Sequence, residues 1–124
     1  MGFQEATGLS ANAACIFCRI AAEELPADRV FEDSGCIAFR DIAPKAPVHV
    51  LVIPRQHFSS LDAVPAEGAS AVGHLVLVAR DLARRLGLTD GYRLVVNTGP
   101  AGGQTVDHLH VHLLGGRDLQ WPPG

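Results

Sequence analysis

The chain has 124 residues, 48% apolar and 19% charged, with a formal net charge of -3. That length fits one domain, and the apolar share excludes a predominantly disordered chain. The acidic balance excludes nucleic-acid binding through a broad basic surface, and no apolar run approaches the roughly 18 residues of a membrane span.

Residues 1–14 are small and polar and read as a loose arm before one domain spanning 15–124. The opening residues have neither the basic nor the apolar region of a secretory leader, so the expected compartment is cytoplasmic. Cys15-Ile-Phe-Cys-Arg-Ile-Ala-Ala22 places Ile16, Phe17 and Ile20 at helical spacing, with Pro26 just beyond, and predicts a helix of one or two turns. Arg29–Asp33 and Cys36–Arg40, joined at Ser34-Gly35, predict a hairpin. Pro44 and Pro47 mark a loop, and His49–Ile53 a strand stopped by Pro54.

Ala66–Leu86 is the longest periodic segment. Val72, Leu75, Val76, Ala79, Leu82, Ala83 and Leu86 recur at three- and four-residue steps, and Gly87 follows where a helix should be capped. Leu75–Val78 is apolar nearly all round, so this helix is expected to bury one face on a sheet and another on a partner. Tyr92–Asn97 and Asp107–Leu114 read as strands, separated by the loop Gly99-Pro-Ala-Gly-Gly103. The expected fold class is α+β, a mainly antiparallel sheet with one long and one short helix.

Half of the chain's six histidines fall within Asp107–Leu114. His108, His110 and His112 alternate with Leu109, Val111 and Leu113, so on a strand the three imidazoles share one face about 7 Å apart, and Asp107 points away from it. Such a row either chelates a metal or supplies a nucleophile with a neighbouring imidazole to bind an anion. The preceding loop favours the second use. Gly102 and Gly103 allow close backbone approach and an anion-binding concavity, Thr105 adds a hydroxyl and Asn97 an amide. Phosphate is the natural guest.

The run His-Leu-His-Val-His-Leu-Leu at 108–114 resembles the signature of the histidine-triad nucleotide-binding proteins. Gly102-Gly-Gln-Thr-Val106 and the terminal Trp121-Pro-Pro-Gly124 resemble the Hint branch in particular. The likeness extends through Phe39-Arg-Asp-Ile42, Ala46-Pro-Val-His-Val50 and Leu51-Val-Ile-Pro54, and covers nearly everything from Cys15 onward. It implies a five-stranded sheet that joins a second copy's into ten strands, and hydrolysis of purine nucleoside phosphoramidates to a mononucleotide such as AMP.

By the same resemblance His110 is the nucleophile, forming a covalent nucleotidyl-imidazole. His112 contacts the phosphate oxygens and the departing amine, and His49 supports the site. Asn97, Gly103, Gln104, Thr105 and the Val106 backbone are implied for the phosphate, Asp41 for the ribose hydroxyls, and Phe17, Ile20, Phe39 and Ile42 for the base. Those four residues also suit a plain core. Trp121 is implied to shape leaving-group preference from the partner's side. No metal is needed for the chemical step.

Cys15-Ile-Phe-Cys18 matches a cysteine pair of bacterial members, and the likeness implies one structural zinc held by Cys15, Cys18, His57 and His108. A redox pair and plain buried thiols remain alternatives for the cysteines. A zinc hydrolase, a dinucleoside polyphosphate hydrolase and a non-catalytic nucleotide-binding protein remain alternatives for the function. Cys36 reads as a packed strand thiol, and His74, mid-helix, matches nothing.

Overall fold

A computed structural model describes residues 13–124; residues 1–12 of the arm predicted over 1–14 lie outside them. Among these residues α1 spans Ile16–Ala21, β1 Arg29–Glu32, β2 Cys36–Arg40, β3 Val48–Pro54, α2 Ala69–Arg85, β4 Tyr92–Val95 and β5 Val111–Gly115. The strands form one antiparallel five-stranded sheet in the order β1-β2-β3-β5-β4. The expected α+β class is the class observed. No helix among the described residues is long and apolar enough to cross a membrane.

The two faces of the sheet hold separate apolar clusters. Cys36, Ala38, Val50, Val52, Leu109, Val111 and Leu113 pack with α2. Ile37, Phe39, Leu51 and Ile53 point to the other face and pack with Phe17, Cys18 and Ile20 of α1. Because β3 is covered on both sides, Val48–Pro54 reads as a continuous apolar run in which His49 is the polar exception. His49 shares its parity with Leu51 and Ile53, and His110 and His112 alternate with Val111 and Leu113. All three histidines therefore belong to the α1 face.

Three boundaries depart by more than a residue from the sequence expectations. The long helix begins at Ala69, preceded by a 3-10 turn at Ala66–Gly68 closed by Gly68 N–H on the Pro65 carbonyl at 2.8 Å. A Cβ at Gly68 would stand 2.6 Å from the Val64 side chain, so glycine is what lets the turn pack there. At its other end Leu88 N–H donates to Ala83 O and Gly87 N–H to Arg84 O, with Gly87 at φ 78°, the paired bonds of a Schellman cap. Within one chain this helix buries a single face, through Leu75, Val78, Ala79, Leu82 and Ala83, and leaves Val76 and Leu77 exposed.

The last strand begins at Val111, not Asp107. Ahead of it Leu109 N–H donates to Phe58 O at 2.7 Å and His108 N–H to Val106 O at 2.9 Å, so this backbone bonds to loops instead of a neighbouring strand. Val95 opposite His112 is accordingly the last pair of β4, which stops short of the expected Asn97.

Candidate active site

Hydrogen bonds to backbone groups, and for His112 to the His49 side chain, fix which nitrogen of each key histidine is free. His110 Nδ1–H donates to the His108 carbonyl at 2.7 Å, leaving the Nε2 lone pair unprotonated. His49 Nδ1 accepts the Lys45 backbone N–H at 3.0 Å, so the proton of the neutral ring sits on Nε2. That Nε2–H donates to His112 Nδ1 at 2.9 Å. The proton of His112 is thereby placed on its own Nε2, which among the described residues is the buried side-chain nitrogen or oxygen without a hydrogen-bond partner. A lone pair with no donor and an unspent N–H thus stand on adjacent rings, whose centroids are 4.9 Å apart.

Burial favours the neutral form of His112 and of His49. The His112 pKa is lowered to about 4, first by desolvation and then by the neighbouring His110 and His49. Burial also lowers the His49 pKa, and Asp41, whose Oδ2 lies 3.5 Å from His49 Nε2, offsets part of this. Phe17 walls the cluster, meeting the His110 ring edge-on at 5.2 Å and Phe39 at 5.5 Å.

A second constellation lies where α1 meets the histidine run. Cys15 Sγ is 3.3 Å from His108 Nδ1, Cys18 Sγ 3.2 Å from His57 Nδ1, and the two Nδ1 atoms are 3.1 Å apart. His108 Nε2–H donates to the Pro54 carbonyl at 2.9 Å, so its Nδ1 presents a lone pair to the sulfurs. All four ligand atoms lie within 4.8 Å of one another. A zinc tetrahedron of this S₂N₂ set has edges of about 3.3–3.8 Å, so the donor chemistry and spacing fit that ion. Burial pushes the His108 pKa down to about 4, which keeps the ring an unprotonated ligand.

The remaining expected residues fall into three groups. Phe17, Ile20 and Phe39 come together in the α1-side core, whereas Ile42, on the loop after β2, is fully exposed. Gly103 adopts φ 87°, with a would-be Cβ 3.9 Å from the Asn97 amide carbon, so the loop and Asn97 adjoin. Gln104 is committed to the loop itself: Oε1 accepts the Gly99 N–H, and Nε2 donates to Ser59 O and Val106 O. Thr105 and Val106 line a hollow of about 330 Å³ with Cys15 and Ile16. Trp121 is exposed, and so is Asp107, which precedes the strand and escapes the α2-side core that its alternation with Leu109 and Val111 would give it. A backbone carbonyl on the other N–H of His110 was to be expected for a fixed tautomer, but not that it would be that of His108, and the Pro54 carbonyl and Lys45 amide were missed. No side-chain pattern signals them.

A family model, the HIT domain, matches residues 22–119. The chain belongs to the HIT domain family. An uncharacterized HIT-like protein of Synechococcus elongatus is 60% identical over 109 residues, 88% of this chain and 96% of that one. The crystal structure of a HIT family hydrolase from Legionella pneumophila is 48% identical with a TM-score of 0.87, covering 89% of this chain and 99% of that one. A Zn-bound histidine triad family protein from Mycobacterium smegmatis is 36% identical with a TM-score of 0.76, covering 85% and 76%.

Proposed function

We propose that this HIT-domain protein is a hydrolase of purine nucleoside phosphoramidates acting through a covalent nucleotidyl-His110. The observation that carries the reading is the pair of tautomers: His110 with Nε2 unprotonated, and His112 with an unpartnered Nε2–H beside it. In the reaction His110 Nε2 attacks the α-phosphorus. The P–N bond breaks with its electron pair leaving on the amine, which takes a proton from solvent. Water then attacks the same phosphorus, the N–P electron pair returns to His110, and the water's proton is released with the mononucleotide.

His112 Nε2–H donates to a phosphoryl oxygen as charge gathers there, an interaction of the kind whose removal costs about 2.7–4 kcal/mol. His49 holds His112 in the donating tautomer. The Asn97–Gly103 loop receives the remaining phosphate oxygens, with Thr105 and the Val106 backbone at its edge, and Gln104 keeps the loop in shape. Asp41 serves the ribose hydroxyls, and Phe17 and Phe39 flank the base.

Cys15, Cys18, His57 and His108 would hold zinc, whose chemistry there is structural: it ties α1 to the segment leading into β5. The Zn-bound Mycobacterium smegmatis relative supports this reading. A homodimer is supported by the exposed apolar residues Val76 and Leu77 on α2 and Tyr92 and Val96 at the β4 edge. Sedimentation velocity should show a dimer that Leu77→Glu converts to monomer, and a wild-type monomer would remove the assembly.

The test is intact mass on rapidly quenched reactions with an adenosine phosphoramidate. Wild type should show a transient one-nucleotidyl adduct that His110→Ala lacks, together with loss of turnover. Wild-type rates in the variant would overturn the nucleophile. AMP binding without turnover in either protein would make the chain a binding module instead.

A further inference from the structure

The tip of the β1–β2 hairpin carries three metal-ligating side chains that the histidine cluster does not use. Asp33 Oδ1 accepts the backbone N–H of Gly35 and of Cys36, both at 2.8 Å, which clamps the carboxylate on its own turn. Its other oxygen, Oδ2, faces α2 and lies 2.7 Å from His74 Nε2. Cys36 opens β2 with its side chain turned to the same helix, fully buried in the α2-side core. One ligand atom from each of Asp33, Cys36 and His74 lies within 4.8 Å of the other two. The ring packs against the turn itself, since a Cβ at Gly35 would meet His74 Cδ2 in ordinary contact at 3.5 Å.

We propose that Asp33, Cys36 and His74 form a second divalent-cation site, of the zinc class, pinning the hairpin tip to α2. One sulfur, one nitrogen and one oxygen is a mixed donor set that suits zinc over magnesium or calcium. Three protein ligands leave a fourth position for water on the exposed side of His74. Binding releases the Cys36 thiol proton to solvent, shifts the His74 proton from Nε2 to Nδ1, and exchanges the His74–Asp33 hydrogen bond for two bonds to the ion. Arg55 is the nearby cation, donating to the Asp33 carbonyl at 2.7 Å, and Glu32 at 3.2 Å from its guanidinium counters its charge. This site is on the opposite sheet face from Cys15 and Cys18, so the two fill independently.

Zinc alone, titrated by equilibrium dialysis with elemental analysis, tests this on wild type, His74→Ala and His112→Asn. The readout is the difference between variants, so it does not depend on whether the Cys15 cluster fills. Wild type should bind one equivalent more than His74→Ala, or bind its weakest equivalent at least about tenfold more tightly, and His112→Asn should match wild type. Equal binding by wild type and His74→Ala would overturn the site. Loss of the extra equivalent in His112→Asn would place it at the catalytic histidines and overturn it too. Cobalt gives a second measurement, because His74→Ala should lose part of the sulfur-to-cobalt absorption and an unchanged spectrum would refute Cys36 as a ligand.

Discussion

Replacing His49 isolates the contribution of a held tautomer. In wild type the relay Lys45 N–H to His49 Nδ1 and His49 Nε2–H to His112 Nδ1 allows the neutral His112 one protonation pattern, with its proton on the nitrogen facing the substrate. His49→Ala removes the donor that fixes this pattern, so His112 also populates the tautomer with its proton on Nδ1, the unproductive form. A hydrogen bond of this kind is worth about 0.5–1.5 kcal/mol net, so the nucleotidyl-transfer step should slow about 2- to 13-fold. Removing the donor outright with His112→Ala should cost about 100- to 1,000-fold. His49→Gln, whose side-chain amide still carries a donor, should recover most of the His49→Ala loss. Single-turnover rapid quench separates this step from product release, and KM should move less than kcat. A His49→Ala loss as large as that of His112→Ala, unrescued by Gln, would show that His49 acts on substrate directly and refute the relay.

Purified without chelator, the protein should carry zinc, and stripping it or introducing Cys15→Ser should lower Tm by on the order of 10 °C; metal-free protein with an unchanged Tm would remove the structural zinc. Because the folded His112 pKa lies near 4, below its unfolded value of about 6.5, the unfolded chain binds the extra proton first as pH falls. His112 therefore lowers stability progressively from about pH 6.5 to about pH 4 and adds no further loss below, with a slope of at most about 1.4 kcal/mol per pH unit. Urea midpoints of wild type and His112→Asn across that window should diverge, and parallel curves would contradict a buried neutral ring. Gln104→Ala deletes two hydrogen bonds within the loop and one to Ser59 and should cost about 2–4 kcal/mol, with KM raised more than kcat is lowered; unchanged stability would show the loop holds itself.

What could be read from the sequence was whatever a side-chain period encodes. The 3.6-residue stripe of α2, the Gly87 cap and the alternation of β5 all follow from where apolar residues must point. Boundaries failed where the backbone left its ladder. Nothing in Asp107–His110 distinguishes a strand from a segment whose amides bond to Val106 and Phe58, since the alternation is the same in both. The histidines could be named but not their protons, because the groups that fix them are backbone atoms of Lys45, Pro54 and His108. Asp33 with His74, 41 residues apart in sequence, becomes a pair only once the hairpin is folded against α2.

His108 shows why three histidines in a row are not three copies of one function. Its ring faces the two cysteines and His57 through Nδ1 while its Nε2–H is spent on Pro54 O. Its carbonyl, meanwhile, takes the Nδ1 proton of His110. One residue thus braces the thiol–imidazole cluster with its side chain and the free lone pair of His110 with its backbone. Any shift of the His108 ring turns the same peptide that orients His110. Loosening the cysteine cluster should therefore slow adduct formation at His110 while leaving the His110 atoms unchanged in kind. Cys18→Ser is the variant for this, since it removes a sulfur 3.5 Å from His108 Nδ1 and none of the bonds to His110. A slower adduct with an unaltered equilibrium affinity for AMP is the expected result. If adduct formation keeps its wild-type rate while Tm falls, the cluster holds the fold together and has no hand in aiming His110.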